Sequence, residues 1–228
     1  MKLMINKKEQ FFAFIPARKG STGVKNKNVI KINNKHLIEY TLLEASKSKL
    51  IDQTYVSSND NRVLKITKKY KKVKFIKRKN TLSTSKTLMK DVILDFLKFL
   101  KQGFDLKKIY LIILQPTSPQ REAIDIDNAI RLFKKKKKFP LVSFSEPISS
   151  PNNFVYMKRK KLFPFGKSFL NKNRQEFKKT LYVNGSIYIL NGKNYINDPN
   201  LVKKNSTAYI MDKNHSIQID DYFDVKLI

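Results

Sequence analysis

The sequence predicts an α/β fold: an open, mostly parallel sheet with helices on both faces. Three observations carry this expectation. Short apolar runs alternate with amphipathic stretches through the first 145 residues. The run YLIIL (110–114) is apolar on both sides, as an interior parallel strand must be. No apolar run approaches the roughly 18 residues that span a bilayer.

Taken in order, FFAFI (11–15), TYVSS (54–58), VKFI (73–76), YLIIL (110–114) and LVSFS (141–145) are rich in β-branched and aromatic residues and read as strands. Between them, 37–46, 62–70, 88–100 and 123–133 place apolar residues at i, i+3, i+4 and i+7, the signature of helices with one buried face. Strand–helix alternation of this kind builds right-handed βαβ units. From 146 to about 180 the pattern breaks into Pro, Ser, Asn and Lys with isolated Phe, which reads as an arm inserted into one domain spanning 1–228. Strands return at LYVNGSIYIL (181–190) and AYIMD (208–212), and SIQIDDYFDVKLI reads as a strand passing into a helix at Asp220.

Among 228 residues, 48 are Lys or Arg and 18 Asp or Glu, a net charge of +30 that invites a nucleic-acid reading. Two features argue against it. The basic residues are 41 Lys and 7 Arg scattered over the whole chain, and Lys, Asn and Ile are abundant everywhere, as an AT-rich coding sequence would dictate. The one run, KKKKK at 134–138, follows a helical stretch and suits its C-terminal dipole. Cysteine is absent, which removes disulfides and thiolate metal sites. The apolar start runs straight into Pro16 and Arg18 without a cleavage pattern, so a cytoplasmic protein is expected.

Ligands of open parallel sheets bind at the carboxyl ends of the strands, where the loop 16–28 leaves the first strand. Gly20 and Gly23 let backbone N–H groups approach an anion, while Arg18, Lys25 and Lys27 supply charge, so the loop suits a polyphosphate. It is neither a Walker A loop nor G-x-G-x-x-G. Gln115 projects from the end of an interior strand, a costly place for an unpaired amide. Asp220, Asp221 and Asp224 form the one acidic cluster suited to a hard cation; capping the last helix is the alternative for Asp220 and Asp221.

IPARKGSTGVKNKN (15–28) resembles the first motif of the acylneuraminate cytidylyltransferase (CMP-sialic acid synthetase) family, roughly I-P-A-R-x-G-S-K-G-x-x-x-K-N. QPTSPQR (115–121), NRQEFKKTLYVNGSIYIL (173–190) and SIQIDDYFD (216–224) are similar to three further motifs of that family, in the same order. The resemblance implies a Rossmann-like nucleotide-sugar transferase sheet with a small dimerisation arm. It also implies transfer of CMP from CTP to the anomeric hydroxyl of an acidic nine-carbon keto sugar of sialic, legionaminic or pseudaminic type, with Mg²⁺ and release of pyrophosphate.

Carried over residue by residue, the resemblance puts Ala17, Arg18, Gly20, Ser21, Asn28, Arg78 and Gln115 on the nucleotide, with Arg18, Lys27 and Asp220 as catalytic residues. Asp220 and Gln218 fall where the metal is held, Gln218 standing where the family has aspartate. Gln115, Arg174, Asn184, Tyr188, Leu201 and Val202 fall at the sugar, with Arg174 delivered across a homodimer interface. Thr22 replaces a phosphate-binding lysine of the motif, and Asn153 stands where an arm lysine is expected, with Lys158 as its substitute. Two other readings remain at this point: an eight-carbon Kdo cytidylyltransferase, disfavoured by QPTSP and NGSIYI, and a basic nucleic-acid-binding protein on a decayed nucleotidyltransferase fold.

Overall fold

The apolar run at the start becomes strand β1 (Gln10–Pro16), and its alternation decides the layering of the molecule. Phe11, Ala13 and Ile15 enter one buried cluster while Phe12 and Phe14 enter another, so β1 is covered on both faces. This computed structural model describes residues 8–21, 23–136, 139–164 and 179–228.

A short hairpin, β2 (Lys31–Ile32) and β3 (Lys35–His36), leads into helix α1 (Leu37–Lys47). His36 caps α1: Glu39 Oε2 accepts from the His36 backbone N–H at 2.9 Å and pairs with its Nδ1 at 2.7 Å. There follow β4 (Gln53–Ser58), α2 (Asn61–Thr67), β5 (Val73–Lys77), α3 (Met89–Leu100), β6 (Ile109–Leu114), α4 (Ala123–Lys136) and β7 (Leu141–Ser145). The expected strands and helices of this half all form, with ends displaced by a few residues. Asp60 stops β4 and starts α2 by accepting from the Arg62 N–H at 3.0 Å.

Beyond residue 146 stand an exposed hairpin, β8 (Val155–Lys158) and β9 (Lys161–Pro164), then β10 (Tyr182–Asn191), α5 (Gly192–Asn197), β11 (Thr207–Ile210) and α6 (Tyr222–Val225). Seven strands make one sheet in the order β11-β7-β10-β6-β1-β4-β5. All neighbours are parallel except at β10, which runs antiparallel to both β6 and β7. One correction concerns the closing segment. SIQID is not a strand; it crosses the carboxyl ends of the sheet with a single backbone tie, Ile219 N–H to Thr117 O at 2.8 Å.

Helices α1, α2 and α4 cover one face through Ile38, Leu42, Val63, Ile66, Ile130 and Phe133. Helices α3 and α5 cover the other, where Phe96 stacks on Phe14 with ring centroids 4.4 Å apart. Among the described residues no helix is long and apolar enough to cross a membrane.

The register of β10 against β7 slips between Val183 and Tyr188, and Asn184 fastens the slip. Its Oδ1 accepts from Ser143 Oγ at 2.6 Å and Ser186 N–H at 3.1 Å, while Nδ2 donates to Ser145 Oγ at 2.8 Å. Asn184→Ala strands these buried partners, so it should cost about 3 kcal/mol and lower Tm by roughly 6–12 °C in thermal unfolding.

Candidate active site

From β1 the chain proceeds to β4 and β5 on one side, and then returns to β6 on the other. The carboxyl ends of β1 and β6 therefore flank a topological switch point, the crevice where open α/β sheets bind ligands. A cleft lies there, lined by Pro16, Arg18, Ser21, Lys27 and Asn28 from the first loop, Arg78 beyond β5, and Gln115 to Thr117 beyond β6. Leu82, Thr87, Met89 and Val92 form its remaining wall, none of them singled out as a site residue from the sequence.

The first loop is held open by its own polar groups. Arg18 Nη1 donates to Gly20 O at 2.6 Å, with Gly20 at φ 77°, and Asn28 Nδ2 donates to Arg18 O at 2.9 Å. The Ser21 hydroxyl donates to Val24 O and accepts from the Lys27 N–H at 2.8 Å, which ties the loop across six residues. Ala17 is fully buried and donates its N–H to Ser57 O at 2.9 Å, continuing the β1–β4 ladder into the loop. Thr22 lies outside the described residues.

Arg78 is buried although no carboxylate of the described residues touches it. Its Nε donates to Ser57 Oγ at 3.0 Å and Nη2 to Ser57 O at 2.7 Å, fixing the guanidinium at the end of β4. Desolvation, and after it the positive charge of Arg18, push its pKa down to about 10. Two guanidiniums that repel each other across a cleft favour a polyanion between them.

Lys27 turns inward, and its ammonium donates to Ile219 O at 2.6 Å and Asp220 O at 3.1 Å, with Asp220 Oδ1 at 3.3 Å. The closing segment is thereby brought against the first loop. Asp221 and Asp224 are engaged as the capping box of α6, Asp221 Oδ1 accepting from Phe223 N–H at 2.7 Å and Asp224 Oδ2 from Asp221 N–H at 3.0 Å. The Asp220 side chain, 76% exposed, takes no part in that cap. Such a carboxylate fits a Mg²⁺ ion that completes its shell with substrate phosphates and water. Gln218, expected beside Asp220 on a metal, packs its amide against Gly185, and its buried Nε2 has no hydrogen-bond partner among the described residues.

The expected sugar residues separate. Asn184 is buried and bonded to serines, and Tyr188 lies in the core opposite Ile113, its pKa raised by burial. Leu201 packs against the α3-side cluster, whereas Val202 is exposed. Lys158 sits exposed on the hairpin and Asn153 in the turn before it. Arg174 lies outside the described residues. Behind Gln115, Arg121 is completely buried: Nη1 donates to Ser186 O at 2.8 Å and Gln115 O at 3.3 Å, and Nη2 to Thr41 Oγ1 at 2.7 Å. It bolts β6, β10 and α1 together under the cleft.

The cytidylyltransferase family profile matches residues 12–220. The chain belongs to that family. Its sequence is 28% identical over 225 residues to an N-acylneuraminate cytidylyltransferase of Escherichia coli, covering 96% of this chain and 51% of the relative. It is 30% identical over 219 residues to the post-translational flagellin modification protein B of Campylobacter coli, covering 94% and 91%. It is also 29% identical over 215 residues to the CMP-N,N'-diacetyllegionaminic acid synthase of Campylobacter jejuni, covering 94% and 91%. The chain thus spans about half the length of the Escherichia relative and nearly all of the two Campylobacter proteins. In fold it is similar to a CMP:2-keto-3-deoxy-manno-octonic acid synthetase complexed with CTP, with TM-score 0.67 and 15% identity over 96% of each chain.

Gly23 is where the first loop and the closing segment touch, since a Cβ there would fall 2.2 Å from Asp220 O. Gly23→Ala should push Asp220 away from Lys27 and lower kcat at least about tenfold, through misplacement rather than unfolding. Turnover and thermal unfolding measured together will separate the two causes.

Proposed function

We propose that the chain transfers CMP from CTP to the anomeric hydroxyl of an acidic nine-carbon keto sugar, of the sialic, legionaminic or pseudaminic type, and releases pyrophosphate. The observation that carries this reading is the gathering of Arg18, Ser21, Lys27, Asn28, Arg78 and Gln115 in one cleft beside the open carboxylate of Asp220. The names of the acylneuraminate and legionaminic acid relatives support the acceptor class.

In this reading Arg18 and Arg78 grip the triphosphate, and the N–H groups around Gly20 and Ser21 approach its oxygens. Asn28 and Gln115 orient the nucleoside, and Gln115 also faces the acceptor. The acceptor hydroxyl loses its proton to solvent and its oxygen bonds to the α-phosphorus as the bond from that phosphorus to the bridging β-phosphate oxygen breaks, so pyrophosphate leaves. Lys27 offsets the charge that develops. Asp220 holds a Mg²⁺ ion, which when bound neutralises phosphate charge. The enzyme acts in the cytoplasm, as one domain with 146–180 as its arm.

Pyrophosphate release, measured with each nucleoside triphosphate against a panel of acidic keto sugars that includes the eight-carbon Kdo, tests the reaction. CTP should be preferred over ATP, GTP and UTP. Asp220→Asn should lower kcat by roughly 10² while changing CTP affinity far less, the behaviour of a group acting mainly in the transition state. Near-normal turnover in that variant would move the metal to other residues.

The arm supports a homodimer. Val155, Tyr156, Met157 and Leu162 are exposed on the β8–β9 hairpin, with Tyr156 stacked on Phe163 at 5.4 Å, so a small apolar surface projects with little core of its own. A second copy covers it and receives Arg174. Mixing Arg174→Ala with Asp220→Ala subunits should restore part of the activity that each lacks alone, and a fully active monomer in sedimentation would exclude the arrangement.

A further inference from the structure

We infer that Thr41 on α1, together with Arg121, is a positioning residue that sets Gln115 for its part in the reaction proposed above, on which the assignment rests. Helix α1 buries Leu37, Ile38, Thr41, Leu42 and Ala45, and Thr41 is the polar exception on that face. On local grounds it is a poor choice. A β-branched residue lowers helix propensity, and a threonine inside a helix commonly returns its hydroxyl to the carbonyl one turn back. Here the hydroxyl leaves the helix and donates to Gln115 O, 74 residues away, at 3.4 Å.

The directions of the hydrogen bonds follow from the groups themselves. A guanidinium only donates and a carbonyl only accepts, so the Thr41 hydroxyl between them takes one hydrogen and gives its own. Arg121 Nη2 donates to Thr41 Oγ1 at 2.7 Å and Arg121 Nη1 to Gln115 O at 3.3 Å, which closes a ring. Nη1 is also held on Ser186 O at 2.8 Å. The short bonds lock the guanidinium to α1 and β10, and the long ones converge on a single carbonyl, where the Ser118 N–H also points at 3.4 Å. That carbonyl belongs to the first residue after β6, and Gln115 lines the cleft. Apolar side chains would join the same elements without the cost of burying a guanidinium. The polar ring instead fixes the backbone direction of one residue, whose amide meets both substrates in the proposed reaction.

Thr41→Val and Thr41→Ala remove the hydroxyl in two shapes, and Thr41→Ser keeps it. Well below Tm, either of the first two should lower kcat/KM for the best acidic keto sugar roughly tenfold, while Thr41→Ser stays near the unmodified value. Their Tm should fall by roughly 4–8 °C, which a purely structural role would also produce. A double-mutant cycle with Gln115→Ala separates the two roles. In the Gln115→Ala background the loss of the Thr41 hydroxyl should cost no further kcat/KM, although it lowers Tm as before. Equal fold losses in both backgrounds, or unchanged turnover in Thr41→Val and Thr41→Ala, overturn the assignment. The CTP dissociation constant, read by calorimetry, repeats the cycle without turnover: loss of the hydroxyl should weaken CTP about threefold when Gln115 is present and not at all when it is alanine. An equal weakening in both backgrounds overturns the assignment. If the unmodified protein releases no pyrophosphate with any acidic keto sugar, the proposed reaction falls, and the CTP cycle still decides whether Thr41 works through Gln115. If it is active and the two losses are independent, only the role of Thr41 falls.

Discussion

The ammonium of Lys27 binds the two ends of the described chain to each other. It is nearly buried, and its acceptors are the carbonyls of Ile219 and Asp220, 192 and 193 residues away. An ammonium withdrawn from water needs such acceptors, so residues 219 and 220 have no freedom to lie elsewhere. Other features answer to this constraint. Ser21 fixes the Lys27 backbone, Gly23 leaves room for the passing Asp220 carbonyl, and Ile219 drops into a small pocket with Val24, Ile32 and Leu37. The exposed Asp220 carboxylate beside the cleft owes its position to a lysine.

Beneath and beside this tie lie two buried guanidiniums that no carboxylate of the described residues touches. Arg78 rests on Ser57, and Arg121 on Ser186, Gln115 and Thr41; burial pushes the Arg121 pKa down to about 9. Neutral partners accept hydrogen bonds from both without cancelling their charge. Asp125 and Glu44 favour the charged form of Arg121 from a distance, but desolvation outweighs them. The positive potential at the switch point therefore comes from residues that cannot turn away, unlike the surface lysines that make up most of the charge of +30. A bound polyanion gains where the empty protein is under electrostatic strain.

Most of the sheet was legible because its signals are local. Alternation in β1, the apolar run of β6 and the 3.6-residue periods of α1, α3 and α4 each follow from neighbouring residues. The closing segment misled for an instructive reason. SIQID alternates like a strand, and Ile219 is buried as one would bury it, but its second isoleucine fills a pocket beside the sheet instead of joining a ladder. Helix α5 was not among the expected elements; Asn191 sets its start by accepting from the Asn194 N–H at 3.1 Å. In the site, Arg18, Asn28, Arg78 and Gln115 line one cleft. The inward turn of Lys27, the serine cradle of Arg78 and the span of Arg121 depend on partners dozens to hundreds of residues away, and no local pattern announces them.

The insertion of β10 between β6 and β7 has a consequence for how the molecule forms. Although β7 follows β6 in the chain, the two never pair; each waits for a strand that begins at Tyr182. Until that strand arrives, the entirely apolar β6 is an open edge, a template for pairing with other chains. Pairings this distant close slowly, so the interval of exposure is built into the topology. Lysines spread over the whole chain repel neighbouring copies throughout that interval, whatever bias in the coding sequence put them there. A surface charge that contributes little to the finished fold thus acts as colloidal protection for the unfinished one.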